Sequence, residues 1–238
     1  MAALSGQRAA FVGVTSQHAE ALIRTLRAAD ADVVVIDRAE NAAGATLVCD
    51  MSETGIAEAL RLIGPIDILV VTPPAVLESP GGDAATLSAA LATALEPAFL
   101  WTKAVATAMR ERKSGVIVHL TGPSGLGGWP GWEVAGTTFA AIHNFVQSFA
   151  TDVAPAGVRV NALVPGITKR QAEAIASTRT MPIADVASRI PLHGFLPDDA
   201  LSNALLYLVH PSSSYVSGEI LTVDGGWAMW GRLNAVAS

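Results

Sequence analysis

Short apolar runs alternate along this chain with segments of helical periodicity. That alternation predicts an α/β fold, a doubly wound parallel sheet covered by helices on both faces. The run Val33-Val34-Val35-Ile36 is apolar at consecutive positions, as a strand buried on both faces must be. The third observation is size: 238 residues, 51% of them apolar, can bury a substantial core as one unit. No repeat, low-complexity stretch or composition shift divides the chain, so residues 1–238 read as a single domain.

The elements follow in order. Arg8 to Val14 reads as the first strand. Ala19 to Ala29 reads as a helix with Leu22, Ile23 and Leu26 on its inward face. Val33 to Ile36 is a second strand, ending at Asp37-Arg38, and Thr46 to Cys49 is a third, ending at Asp50. The chain between Asp37 and Asp50 is too short for a full crossover helix. Ile66 to Val71 is the fourth strand. A long helix from Ala84 to Arg112 leads into the strand Gly115 to Leu120. A helix over 134–153 precedes the strand Val158 to Val164. Ala200 to Val209 is helical, and Glu219 to Val223 is the last strand, closing on Asp224-Gly225-Gly226.

The bulk properties exclude several roles. A net charge of -6 argues against nucleic acid and anionic membrane surfaces as partners. No apolar run reaches the roughly 18 residues that span a bilayer. The start of the chain lacks a charged segment followed by a continuous apolar stretch, so no export signal is expected. Cys49 is the single cysteine, which rules out an internal disulfide framework and fits a reducing cytoplasm. Its simplest role is a packed strand residue. No His/Cys/Asp cluster has metal-ligand spacing, so no metal is expected.

Several motifs stand in a telling order. Asp67-Ile68-Leu69-Val70 precedes Met109-Arg110-Glu111-Arg112-Lys113-Ser114-Gly115, then Gly157-Val158-Arg159-Val160-Asn161 and Pro165-Gly166. The last third continues with Pro191-Leu192-His193-Gly194, Ala204-Leu205-Leu206-Tyr207-Leu208, Tyr215-Val216-Ser217-Gly218 and Val223-Asp224-Gly225-Gly226. Together they resemble the short-chain dehydrogenase/reductase family, over nearly the whole chain. The resemblance implies a Rossmann-like domain binding a nicotinamide dinucleotide, with a Tyr-x-x-x-Lys pair for hydride-transfer chemistry. In the family the Tyr exchanges the proton, and the Lys lowers its pKa and holds the nicotinamide ribose.

The chemistry implied by the resemblance is missing here. The chain has only two tyrosines, Tyr207 and Tyr215, and neither is followed four residues later by lysine. The family's Tyr and Lys fall on Ala135 and Phe139, its Ser on Gly122 and its helix Asn on Ala94. Of the three glycines in the phosphate loop only Gly13 remains, with Gln17 and Ala19 at the other two. Gln17 places a side chain where phosphates would sit, on a backbone that would resist a positive φ. The Asn-Asn-Ala-Gly segment after the fourth strand is replaced by Val71-Thr72-Pro73-Pro74, in which two prolines remove two backbone donors. Asp37 matches the acidic residue that receives the adenosine ribose, and Asp50 the one beside adenine. Asp at a strand end also occurs for turn reasons alone, so both are vestiges or contacts.

Other residues could have taken over. Thr121 and Ser124 flank the missing Ser, Glu133 lies near the missing Tyr, His143 lies one helical turn beyond Phe139, and His18 sits in the phosphate loop. Each has a plain reading: a turn for Thr121 and Ser124, the first turn of a helix for Glu133, an exposed or interface face for His143. Trp129, Trp132, Trp227 and Trp230 fill the vacated cleft or pack on a partner. The expected function is therefore a catalytically inactive subunit, cytoplasmic, holding no cofactor itself. Its partner is an active paralogue of the same family, with NAD in that partner's site, in a heterotetrameric hydroxyacyl-CoA or other alcohol dehydrogenase. One alternative is a nicotinamide-independent enzyme, similar to the halohydrin dehalogenases, although those keep a Ser and a Tyr that are absent here. The other is a nucleotide-sensing module acting through Asp37 and Asp50.

Overall fold

The computed structural model describes residues 3–38, 46–78, 81–179 and 182–230. Seven strands form one parallel sheet in the order β3-β2-β1-β4-β5-β6-β7. They are β1 (Arg8–Val12), β2 (Asp32–Asp37), β3 (Leu47–Val48), β4 (Ile68–Val71), β5 (Gly115–Leu120), β6 (Val158–Pro165) and β7 (Ile220–Val223). The order reverses between β1 and β4, which pair in register from Ala9–Ile68 to Val12–Val71. In such sheets the ligand crevice opens beyond the carboxyl ends of the strands at that reversal.

Nine α-helices are assigned among the described residues. They are α1 (Ala19–Ala28), α2 (Glu53–Ile63), α3 (Ala84–Ala90), α4 (Glu96–Arg112), α5 (Glu133–Val153), α6 (Lys169–Arg179), α7 (Ile183–Ser188), α8 (Asp198–Val209) and α9 (Trp227–Trp230). Alternate strand residues feed two cores. Val12, Leu69, Val71 and Ile117 pack with Ala98, Trp101, Ile142 and Val146 on the α4–α5 side. Phe11, Ile68, Val70 and Val118 pack with Leu22, Leu26, Leu205 and Leu208 on the α1–α8 side. Burial on both faces accounts for the continuous apolar strands.

Several expected elements differ in extent. The first strand stops at Val12, because Gly13 turns the chain at φ +90°. The third strand keeps only Leu47–Val48. Thr46 bonds Val35 through its hydroxyl as well as its backbone, leaving the regular ladder there. The short connection expected between Asp37 and Asp50 falls largely on 39–45, outside the described residues. The long helix from Ala84 is interrupted by a π turn, Leu91–Leu95, where Glu96 N–H reaches back to Leu91 O. Pro97 explains it: the ring has no N–H to offer and crowds the carbonyl four residues earlier, so the turn widens. The segment Ala84–Arg112 is 29 residues long, and an 18-residue window within it reaches a mean hydropathy of 1.2, enough by length and composition to cross a membrane. Alanine and leucine, interrupted by threonine and serine, reach that mean without any continuous apolar run. One face of α4, carrying Trp101, Val105 and Met109, is packed in the core.

Candidate functional site

The first site segment is the loop from β1 to α1. A Cβ on Gly13 would lie 2.7 Å from Thr72 Oγ1 and 2.8 Å from the Thr72 carbonyl. Thr72 Oγ1 donates to the Gly13 carbonyl at 2.6 Å, tying the ends of β1 and β4 together. Glycine is required here by both space and φ. Gln17 carries no such strain, since it is absent from the residues with positive φ. The expected backbone conflict does not arise, because the loop takes another path. The Gln17 side chain reaches across the cleft, and its Oε1 accepts from Thr168 Oγ1 at 3.1 Å. Ala19 is buried in the α1–α8 core as the first residue of α1.

Thr168 is itself fixed. Its N–H donates to Gln171 Oε1 at 3.1 Å, and Gln171 N–H donates to Thr168 Oγ1 at 3.2 Å. This is a capping box at the start of α6. Sequence reasoning missed both residues, although Thr-x-x-Gln was there to signal them. Gln17 thus connects the loop after β1 to the capped start of α6.

The acidic positions have local duties. Asp37 is buried and accepts from Val14 N at 2.7 Å and Arg38 N at 2.5 Å. Asp50 accepts from Ser52 N at 2.9 Å and Ser52 Oγ at 2.6 Å, and Ser52 in turn caps α2 through Gly55 N. Those bonds from Ser52 hold the Asp50 carboxyl below its usual pKa. Met51, at φ +62°, donates its N–H to the Cys49 sulfur at 3.4 Å. Cys49 is buried, and burial raises its thiol pKa.

The four positions of the family's tetrad are all filled with core. Ala94 lies in the π turn, and Ala94, Ala135 and Phe139 are each at most 5% exposed. Gly122 has an extended backbone at φ -144°, so its conformation does not demand glycine. Space does. A Cβ there would enter the Phe139 ring, 2.9 Å from Cδ2 and 3.1 Å from Cζ. A serine at 122 and a phenylalanine at 139 exclude one another, and the chain has neither the family's serine nor its lysine at these positions.

Of the residues weighed as replacements, His18, Thr121 and Ser124 line one cavity, whereas His143 and Glu133 are held by bonds of their own. His143 is buried, not exposed. Its Nε2 bonds Thr121 Oγ1 at 2.8 Å, joining the end of β5 to α5. Burial lowers its pKa, and a bond to the Gly125 carbonyl opposes that shift. With Nδ1–H given to Gly125, Nε2 is the acceptor and neither nitrogen faces a substrate. Glu133 stands in the first turn of α5 and accepts from Gly131 N at 3.0 Å. Its backbone bonds, its own N–H first, keep the carboxyl ionised at low pH. Ser124 Oγ is buried with no hydrogen-bond partner among the described residues. No group of three or more metal-ligating side chains occurs among those residues either.

Two of the cavities at the carboxyl end of the sheet adjoin the family's site positions; a third, about 30 Å³, lies between Gln17, Thr168 and Leu201. The first, about 20 Å³, is lined by Ser16, His18, Pro73, Gly122, Phe139 and Gln171 among others. Trp129 and Trp132 roof it, with ring centroids 5.9 Å apart, and Trp227 adds a third ring 5.6 Å from Trp129. Two of these rings, Trp129 and Trp132, line the cleft. The side chain of Trp230 lies outside the described residues. The second cavity, about 220 Å³, is lined by Gly13, Thr15, Asp37, Arg38, Met51, Thr72, Pro74, Thr93 and Ala94 with neighbouring apolar groups. Asp50 is not among them. Pro73 and Pro74 face different cavities, so the altered segment after β4 is the wall between the halves.

A nicotinamide dinucleotide would need both halves. The first has room for about one water-sized sphere. Phe139 occupies the ribose side and Gln17–Thr168 closes the loops, so the residues present do not fit the nicotinamide portion.

Comparison with known proteins places the fold among dehydrogenases and reductases. The family model described as enoyl-(acyl carrier protein) reductase matches residues 6–228. Galactitol 2-dehydrogenase (L-tagatose-forming) from Cereibacter sphaeroides is 28% identical over 252 residues, covering 95% of this chain and 97% of that protein. A 3-oxoacyl-[acyl-carrier-protein] reductase from Synechocystis is 31% identical over 133 residues, and the match spans 56% of this chain and only 52% of that protein. The solved structure of an oxidoreductase of the short-chain dehydrogenase/reductase family from Burkholderia thailandensis superposes with a TM-score of 0.84 at 26% identity, covering 96% of this chain and 95% of that one. Sheet order, switch point and family model agree: the chain belongs to the short-chain dehydrogenase/reductase family.

Proposed function

We propose that this chain is a catalytically silent member of its family that assembles with an active, NAD-dependent paralogue. The observation that carries the reading is the Gly122–Phe139 contact, where two tetrad positions are packed against each other. One substitution is compatible with a relocated mechanism. A mutually fitted pair inside a cavity of about 20 Å³ is instead core packing. Removal of one acid or base costs roughly 10²- to 10⁴-fold in rate, and every member of the unit is replaced here.

The surface supports docking. Phe99 on α4 is 44% exposed, and beside it Phe145, Ala141, Leu91 and Leu95 line a broad apolar groove of about 770 Å³. A related chain bearing the same two helices would cover that face. In this reading the assembly is a cytoplasmic heterotetramer oxidising a hydroxyacyl-CoA or another alcohol, with NAD and the Tyr-x-x-x-Lys pair in the partner. It resembles the degenerate subunit of the two-subunit dehydrogenase that acts on 2-(α-hydroxybenzyl)succinyl-CoA in anaerobic toluene degradation. A nicotinamide-independent enzyme is disfavoured, because both nitrogens of His143 are engaged and the Glu133 carboxylate is bonded to backbone N–H groups at the start of α5.

The test is isolation of the complex from the native host followed by mass spectrometry. The expected result is a stoichiometric second family member with an intact Tyr-x-x-x-Lys, whose dehydrogenase activity survives Phe139→Leu in this chain. A purified homo-oligomer of this chain that reduces NAD unaided would overturn the proposal.

A further inference from the structure

Two sulfur atoms flank Asp50 after β3, and their surroundings differ. Cys49 is 5% exposed, and burial raises its thiol pKa, so little of the thiolate that reacts with oxidants is present. Met51 is 6% exposed, yet it lines the cavity of about 220 Å³ that stays open beside β2. Its thioether needs no ionisation to react. The backbone of Met51 stands at φ +62°, a left-handed conformation that non-glycine residues adopt rarely, and its N–H donates to the Cys49 sulfur at 3.4 Å. We propose that Met51 is a peroxide-sensitive site, whose thioether is converted to a sulfoxide held by the Trp101 indole.

Trp101, on α4, is fully buried, and its Nε1–H donates to Met51 Sδ at 3.1 Å. A thioether sulfur is only a weak acceptor. A buried donor with a weak partner forgoes part of the free energy of a hydrogen bond. A sulfoxide oxygen accepts strongly, so oxidation gives the indole the partner that the sulfur does not. The added oxygen needs room, and the open cavity lets the sulfur withdraw from the indole to admit it. Met109 meets neither condition: it is 0% exposed and packed closely over Gly115 in the core. Met229, on α9, is 80% exposed and has the access of a free side chain. Met1 and Met181 lie outside the described residues.

The reaction is a transfer of one oxygen and two electrons. A lone pair of Sδ attacks one oxygen of a hydroperoxide, the O–O bond breaks, and that oxygen stays on sulfur. Its proton passes to the departing oxygen, which leaves as water from hydrogen peroxide or as an alcohol from an organic peroxide. Sulfur is oxidised and the peroxide is reduced, with no cofactor. The cavity wall at Met51 changes from apolar to polar, and a methionine sulfoxide reductase reverses the change.

The test exposes the native full chain to dilute hydrogen peroxide and follows each sulfur by peptide mass spectrometry. Met51 is expected to oxidise within about tenfold of the rate of Met229 and at least about tenfold faster than Met109, before Cys49 is modified. In the oxidised chain the Trp101 indole N–H should give a displaced NMR resonance and stay protected from exchange with water. Trp101→Phe removes the donor, so oxidation should then lower the melting temperature by several degrees more than in the wild type. Should that variant fail to fold, the indole resonance of the wild type decides. Oxidation of Met51 no faster than Met109, or reaction of Cys49 first, overturns the proposal. Free exchange of the Trp101 N–H after oxidation overturns it as well, as does an equal loss of stability in folded Trp101→Phe. The chemistry needs neither NAD nor a partner chain, so a negative result leaves the silent-subunit reading standing.

Discussion

The two halves of the cleft differ about tenfold in open volume, near 20 Å³ against 220 Å³, although they lie side by side on one sheet edge. The closed half is made of residues that fit only each other: Gly122 with Phe139, Thr121 with His143, Trp129 with Trp132 and Trp227. The open half keeps a strand-end aspartate, a positive-φ glycine and an apolar slot. Deleting a catalytic group ordinarily leaves a void, and voids cost stability. Here no such void is left: Ala94, Ala135 and Phe139, at the family's catalytic positions, are part of the hydrophobic core. The open half has no such filling, and its walls remain available to a ligand.

Truncating Phe139 should break that contrast most strongly. Phe139→Ala removes a ring buried to 3% exposure and is expected to cost about 3–5 kcal/mol, read from urea unfolding. Met51→Ala at the open half should cost less, because it removes fewer atoms and one side of that residue faces a cavity already open. If both cost the same, the closed half is not core.

Acid should act next on two buried histidines on the α4–α5 side of the sheet, His143 and His119, the latter held on β5 by a bond between its Nε2 and Thr102 Oγ1 at 2.9 Å. Burial lowers the pKa of His119 to about 4, and lowers that of His143 in the same direction. A histidine depressed in the fold binds its proton more readily when unfolded, so stability rises with pH across the window. Its contribution is complete above about pH 6.5 and is lost as pH falls toward 4. For His119 this amounts to at most about 3–4 kcal/mol, at roughly 1.36 kcal/mol per pKa unit. Denaturation midpoints measured between about pH 7 and pH 4.5 check the slope, and His119→Gln should flatten it.

Restoring the family's serine tests the pairing itself. Gly122→Ser drives a side chain into the Phe139 ring and should cost about 1–3 kcal/mol by overpacking. In a Phe139→Ala background the same change should be nearly neutral. The double-mutant cycle would then show a coupling of similar size. Additive effects would mean that the two positions are not matched.

Much of this is legible in the sequence, though as separate losses. Strand positions, the two-faced core and the missing Tyr-x-x-x-Lys follow from local patterns. What Gly122 and Phe139 do to each other does not, since they are brought together only when β5 and α5 pack. The burial of His143 is legible: Phe139, Ile142, His143 and Val146 recur at the spacing of one helix face. A polar residue on that stripe suggests surface as long as its partner, Thr121, is unknown and distant in the chain. Helix α2 escapes a sequence reading because Gly55 weakens its first turn, yet Ser52 before it and Gly64 after it are start and stop signals. Gly55 is explained by Asp50, whose carboxylate lies where a Cβ would be.

The smallest expected effect concerns the clasp, and it separates closure from stability. Gln17→Ala removes one hydrogen bond to Thr168, worth about 0.5–1.5 kcal/mol net. Thr168 keeps its bonds to Gln171, so α6 should remain capped and the melting temperature should move little. The loops on either side, however, lose the side chain that joins them. Hydrogen exchange at the amides of residues 15–18 and 166–171 should therefore quicken, while those of β2 and α2, around the open half, should not. Uniform quickening would mean that the two halves share one set of restraints. Confined quickening would mean that Gln17 holds the closed half shut independently of the packing beneath it.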